Sequence, residues 1–365
     1  MTRHQIWRRV SAHLDLPLLA GMALLMVASL LTLYSASDHN FERVMAQGAN
    51  ILIGLCCLWV VANLPLHYLM RTAVPIYVFG MALLIGVALF GDISHGARRW
   101  LNIGVATIQP SELMKIGVPL MMAWYFEKYE TSLSLKNYAI AALLLLLPVG
   151  LIARQPDLGT ALLISASGFY VLFLAGLSWR VMGGLFITAV ASAPLMWSML
   201  HDYQRHRIEM LFDPTQDALG KGYHTIQGMI AVGSGGILGK GYLNGTQTHL
   251  DFLPERTTDF IFAVYSEEFG LVGNLILLAI YFFVISRGFV ITANASTYFT
   301  RLMAGSITLT FATYAFVNMG MVSGILPIVG VPLPLVSYGG TSMLTLLLGF
   351  GMLMSIQTHK KLVKS

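Results

Sequence analysis

Charge is what this sequence has least of. Asp, Glu, Lys and Arg make up 11% of its 365 residues, against about 25% in a typical soluble chain. With 56% hydrophobic residues and a mean hydropathy of +0.71, the composition excludes an ordinary soluble enzyme and describes an integral membrane protein. Cysteine is nearly absent. Cys56 and Cys57 are adjacent inside an apolar run, so no disulfide framework can be built from them. No soluble domain, low-complexity tail or long linker interrupts the chain. Nucleotide signatures are missing too. In "GSGGILGKGYLNG", Ser234 stands where a Walker motif needs its first glycine and Gly241 where it needs Ser or Thr. Leu238 likewise breaks a G-x-G-x-x-G reading.

What the chain has in quantity is long apolar runs. The first, about 16–34, follows Arg3, Arg8 and Arg9. It is too long for a signal-peptide core, so it reads as a retained span with a cytoplasmic N-terminus. Runs of about 20 residues cross a bilayer, and they place spans near 16–35, 47–65, 71–90, 110–127, 138–154, 157–176, 180–200, 258–286, 300–322 and 340–357. The expected fold is therefore an all-α integral membrane protein, with about ten transmembrane helices in one bundle and a single polytopic domain over 1–365. A large extracytoplasmic loop, 201–257, and a re-entrant Pro/Gly-rich segment, 324–340, complete it. Non-helical backbone at membrane depth is tolerated only against protein or a water-filled cavity.

The sparse charges fix an orientation. The segments on the N-terminal side hold 12 basic residues against three acids, Asp15, Glu127 and Glu130, leaving 10 basic and 14 acidic residues for the opposite side. This positive-inside asymmetry puts both termini in the cytoplasm and accounts for the net charge of +5 without a nucleic-acid partner. It also gathers Glu112, Asp157, Asp251, Glu255 and Asp259 on the extracytoplasmic half.

Three stretches carry candidate chemistry. In "GARRWLNIGVATIQPSELMK", Gln109-Pro110-Ser111-Glu112 reads as a helix start capped by its own side chains. Glu112 and Lys115 share a helix face there, and Arg98 and Arg99 suit an anionic headgroup or pyrophosphate. "RQPDLGTA" repeats the device, with Asp157 favourable in the first turn of the next helix. In "FLPERTTDFIFAVYSEEFG", Thr257-Thr258-Asp259 sits where a cap belongs. On one continuous helix Glu267 would lie about 80° from Asp259 and about 12 Å deeper. Acids inside a membrane segment mark a functional site by default, so Glu255 and Asp259 are placed at the mouth of a cavity, and Glu267 and Glu268 read as contacts between helices.

At these residues the chain resembles the SEDS family of bacterial cell-wall proteins. "GARRW…QPSE", "QPDLGT", "GSGGILGKGYLNGTQ", "FLPERTTDFIFA", "FVNMGMVSGILP" and "VPLPLVSYGG" stand in family order over essentially the whole chain. "FLPER" and "KGYLNGTQ" are closer to the elongation-specific branch than to the division-specific one. One departure is Thr257, where the family usually reads histidine. The resemblance implies a ten-span bundle and a peptidoglycan glycosyltransferase that polymerises lipid II at the outer face of the bacterial cytoplasmic membrane. It also implies a class B penicillin-binding protein (a transpeptidase) and other elongation-machinery membrane proteins as partners. On that reading Asp259 is the general base. Arg98, Arg99 and Lys115 hold the departing pyrophosphate, and Glu112 and Asp157 position them or a divalent cation, Mg²⁺ or Mn²⁺. Glu255 joins the substrate-binding set. The rival readings are a lipid II flippase or transporter, a different lipid-linked sugar transferase, and a non-catalytic scaffold.

Overall fold

The structure, a computed structural model, describes residues 13–94, 97–102, 107–155, 157–199, 205, 209–211, 221–249, 253 and 255–359. Ten helices of 17 residues or more run through the described residues. They are α1 (Leu16–Ala36), α2 (Phe41–Ala62), α3 (Leu66–Phe90), α4 (Pro110–Lys128), α5 (Leu135–Arg154), α6 (Leu158–Leu174), α7 (Trp179–Met199), α10 (Ile261–Ala293), α11 (Tyr298–Val322) and α12 (Gly340–Thr358). Two shorter helices, α8 (Lys221–Ser234) and α9 (Thr246–His249), lie in the 201–257 connection. That connection falls partly outside the described residues.

Seven of the ten are long and apolar enough to cross a membrane. The other three are α6 and α7, whose apolar stretches are shorter, and α4, which carries Glu112, Lys115, Glu127 and Lys128. The protein is a multi-pass, all-α membrane bundle. Its helices begin where short polar side chains satisfy free amides: Leu18 N donates to Asp15, Arg43 N to Asn40, and Thr297 and Thr300 form a reciprocal capping box. Inside, α1 packs on α10, α2 on α12, α3 on α4, and α11 on both α6 and α10. The spans expected near 138–154 and 157–176 appear as α5 and α6, separated by three residues.

Sequence reasoning missed the helices α8 and α9 within the expected loop, and it missed three strands. Between α3 and α4 the chain forms an antiparallel meander of β1 (Asp92–Ser94), β2 (Ala97–Asn102) and β3 (Thr107–Ile108). This stretch is too polar and too short to span. Pairing its backbone groups with one another satisfies them without a helix.

The long helix α10 differs from its expected form. It runs 33 residues, further than 258–286, and breaks at Gly270, where φ is 62° and ψ −160°. A break inside a membrane helix frees amides after it and carbonyls before it. The glycine-rich loop supplies partners for four of them. Leu271 N and Val272 N donate to the carbonyls of Gly236 and Ile237, while Lys240 N and Gly241 N donate to those of Glu267 and Glu268. The two backbones lie so close that a Cβ on Gly239 or Gly270 would meet main-chain atoms of the other segment. Both glycines also have positive φ, which a residue with a side chain rarely adopts.

Residues 324–339 are non-helical, as the proline and glycine content predicts, and Val331, Leu333, Leu335 and Val336 are buried. Side chains from four helices satisfy this buried backbone. Ser29 Oγ donates to Val336 O at 2.6 Å, Gln47 Nε2 to Ser337 O at 3.1 Å, Tyr281 OH to Pro334 O at 2.6 Å and Asn318 Nδ2 to Val331 O at 2.7 Å.

Contacts at the helix ends join residues that the charge pattern assigns to the same face. Arg287 donates two hydrogen bonds to Asp15, from Nε at 3.0 Å and Nη2 at 2.6 Å. Phe299 N donates to Glu127 at 2.6 Å, and Arg256 pairs with Asp38 at the other end of the bundle. The Asp15 side chain is 3% exposed, so removing it strands a half-buried guanidinium. Asp15→Ala is expected to cost about 1.5–3 kcal/mol, the usual worth of hydrogen bonds to charged groups. A thermal melt in detergent checks this, with the Asp15→Ala/Arg287→Ala pair expected to cost less than the sum of its single changes.

Candidate active site

The segment from Glu255 to Phe260 is a compact turn. Glu255 adopts φ 51°, and its carbonyl accepts from Thr258 N at 3.0 Å and Phe260 N at 3.2 Å. Thr258 Oγ1 closes the turn on Glu255 Oε2 at 2.9 Å. This corrects the expected cap: α10 begins at Ile261 after an N-cap Phe260 that makes no side-chain hydrogen bond. Asp259 therefore precedes the helix, and the wheel relating it to Glu267 and Glu268 does not apply.

Backbone groups tie the turn to the 324–339 segment. Tyr338 N donates to Thr257 O at 2.9 Å, Ser337 Oγ to Thr258 O at 2.6 Å and Asn318 Nδ2 to Asp259 O at 2.8 Å. Asn318, fully buried on α11, thus bridges the Asp259 carbonyl and the Val331 carbonyl. Gly330 sits beside the carboxylate: a Cβ built on it would lie 3.4 Å from Asp259 Oδ2.

Asp259 and Glu255 line one cavity of about 200 Å³ together with His224 and Thr225 from α8, Phe260, and residues 326–328. Burial depresses the His224 imidazole below its ordinary range, against a smaller opposing pull from Glu255, so the neutral form is favoured. Leu326 and Pro327 also line a neighbouring groove of about 190 Å³, walled by Gly159, Leu162 and Leu163 of α6 and by Val317 of α11. The polar cavity and the apolar groove thus meet along one wall.

The remaining candidates lie elsewhere. Glu112 and Lys115 line a separate cavity of about 50 Å³ between α4, α11 and α12. Lys115 Nζ is 2.5 Å from Glu112 Oε1 and 5.4 Å from the centre of the Tyr314 ring, and Thr345 Oγ1 donates to Glu112 Oε2 at 3.2 Å. Gln109, expected to start a self-capped helix, makes no side-chain cap. It reaches across instead, donating to Asp157 Oδ2 at 3.2 Å, while Asp157 caps α6 through Thr160 N at 3.3 Å. One hydrogen bond therefore links the two helix starts. Arg98 and Arg99 lie on β2, with Arg98 opposite Ile93; their side chains fall outside the described residues. Among the described residues, no group of three or more His, Cys, Asp or Glu side chains forms a metal-ligand set.

The deeper acids both contact other helices, and Glu267 also reaches the glycine-rich loop. Glu268 accepts from Ser35 of α1. Glu267, with no exposed surface, accepts from Lys240 Nζ at 2.7 Å, from the amides of Thr246 at 2.9 Å and Gln247 at 3.1 Å, and from Thr246 Oγ1 at 3.0 Å. It pins the glycine-rich loop to the broken helix.

A family model described as a cell cycle protein family, FtsW/RodA/SpoVE, matches residues 11–362. The chain belongs to this family. It is 51% identical over 358 residues to the peptidoglycan glycosyltransferase MrdB of Escherichia coli K12, covering 98% of this chain and 96% of that protein. It is 30% identical to the peptidoglycan glycosyltransferase RodA of Treponema pallidum, covering 95% and 98%. Among solved structures, a chain of a peptidoglycan synthase complex superposes with a TM-score of 0.82 at 33% identity, covering 96% of this chain and 99% of that one. The rod shape determining protein RodA of Thermus thermophilus gives 0.71 at 29% identity, covering 94% and 96%. These two solved chains thus share this bundle over nearly its full length.

Proposed function

We infer that the chain is a peptidoglycan glycosyltransferase that polymerises lipid II, a disaccharide-peptide on a polyprenyl pyrophosphate, at the outer face of the bacterial cytoplasmic membrane. The observation that carries this reading is the meeting of the Asp259 cavity with an apolar groove along Leu326 and Pro327. A substrate with a sugar head and a prenyl tail has that same division. The site has no nucleotide motif and needs none, because the donor arrives already activated.

In the proposed step Asp259 accepts the proton of the acceptor sugar hydroxyl as that oxygen attacks the anomeric carbon of the donor. The bond from that carbon to the pyrophosphate breaks, the configuration inverts, and polyprenyl pyrophosphate departs with its negative charge. A positioned base contributes about 10²–10⁴-fold. Arg98, Arg99 and Lys115 are proposed to receive the pyrophosphate, with Glu112 and Asp157 orienting them. Lys115 would then exchange part of its contact with Glu112 for phosphate oxygens. A class B penicillin-binding protein is the proposed partner, with the N- and C-termini cytoplasmic and the site extracytoplasmic.

The test is polymerisation of purified lipid II by the full chain, alone, with a class B penicillin-binding protein, and with a chelator. Glycan polymer from the chain is the expected product, and loss of it in chelator would bring Mg²⁺ or Mn²⁺ into the site. Vesicles in which the chain moves lipid II across the bilayer without making polymer would replace this reading with that of a flippase.

A further inference from the structure

His224 lines the Asp259 cavity without an evident structural role. It is the fourth residue of α8 as described. Its ring stacks on Phe260, the residue after Asp259, with centroids 6.2 Å apart and planes 28° apart, and Tyr223 packs on it edge-on. These contacts fix the plane of the imidazole but use neither nitrogen. Nδ1 is buried and finds no hydrogen-bond partner in the structure. A histidine serving only as packing would satisfy that nitrogen, because an unpaired buried polar atom is costly. The titratable side chains that share the cavity with it are Glu255 and Asp259.

We propose that His224 is a substrate-binding residue whose Nδ1 hydrogen-bonds a hydroxyl of the sugar presented to Asp259. The geometry supports it in three ways. The imidazole is held flat by Phe260, His224 lines the same cavity as the carboxylate, and α8 comes from a different part of the chain than the Asp259 turn. Two independently anchored elements thereby grip one sugar, which orients it better than the turn alone. Burial keeps the ring neutral, and a neutral imidazole presents one donor and one acceptor nitrogen, either of which suits a hydroxyl.

The proposal rests on the active-site reading above, and the experiment separates the two. Equilibrium binding of lipid II in detergent is measured on full-chain Asp259→Asn protein, on the same protein with His224→Phe, and on the same protein with His224→Asn. Phenylalanine keeps the stack on Phe260 and removes the nitrogen; asparagine restores an amide near the Nδ1 position. The phenylalanine variant is expected to bind about 5–10-fold more weakly, the usual worth of one hydrogen bond. The asparagine variant is expected to recover most of that loss. Equal affinities for all three proteins overturn the proposal, as does an asparagine variant no better than the phenylalanine one. A melting temperature is taken for each protein, so that loss of fold is not read as loss of binding. Polymer made by the Asp259→Asn background would instead overturn the role of Asp259 and leave the binding comparison standing.

Discussion

Asp259→Asn is expected to abolish glycan polymer from purified lipid II while leaving the melting temperature nearly unchanged. The amide is close in shape to the carboxylate but cannot accept the proton of the attacking hydroxyl. The expected loss is that of a general base, about 10²–10⁴-fold. The fold should survive because the turn is held through the carbonyls of Thr257, Thr258 and Asp259, which Tyr338, Ser337 and Asn318 engage. Initial rates followed by separation of glycan products on gels give the measurement. Near-normal polymerisation would remove Asp259 from the chemistry and favour the scaffold reading.

Asn318→Leu is expected to be nearly as damaging, without touching substrate. Asn318 is uncharged, lies on α11 inside the bundle, and donates to the carbonyls of both Asp259 and Val331. Leucine is apolar and of similar size, yet it removes the donor from the buried Val331 carbonyl, at about 1–3 kcal/mol, and from the half-buried Asp259 carbonyl. The turn and the segment facing it would lose their common anchor. A displacement of about 1 Å at a reacting group can cost on the order of 100-fold in rate, so activity should fall by that order while lipid II binding changes less. Asn318→Asp, which keeps an acceptor but loses the donor, should resemble Asn318→Leu. A variant with wild-type rate would show that the turn holds its shape unaided.

How much of this was legible in the sequence depends on the kind of information. The ten helices follow from runs of apolar residues, a local property, and their ends follow from caps such as Asp15, Asn40 and Thr297. Proline and glycine content marked 324–339 as non-helical, and the charge pattern grouped the acids that line or border the cavities. The partners were not legible. Asn318, Gln47 and Tyr281 are single polar residues in apolar helices, and only the fold reveals that they converge on one buried segment. His224 carries no motif of its own in a single sequence. The break in α10 was hidden because a single glycine such as Gly270 is tolerated in many helices. The three short strands were missed for a related reason: two to six residues of weak alternation do not stand out from a loop.

The break at Gly270 also bears on the thickness of membrane the protein accepts. Unbroken, the 33 residues of α10 would measure roughly 50 Å at 1.5 Å per residue, far beyond a hydrocarbon core of about 30 Å. Divided at Gly270, the portion Leu271–Ala293 spans roughly 34 Å, which fits that core with modest tilt. The shorter portion, Ile261–Phe269, is left to carry the Asp259 turn, so the glycine sets the height of the carboxylate relative to the lipid headgroups. Reconstitution into bilayers of graded acyl-chain length would then change the rate through the alignment of substrate and base, with an optimum where the pyrophosphate of the lipid comes level with the cavity.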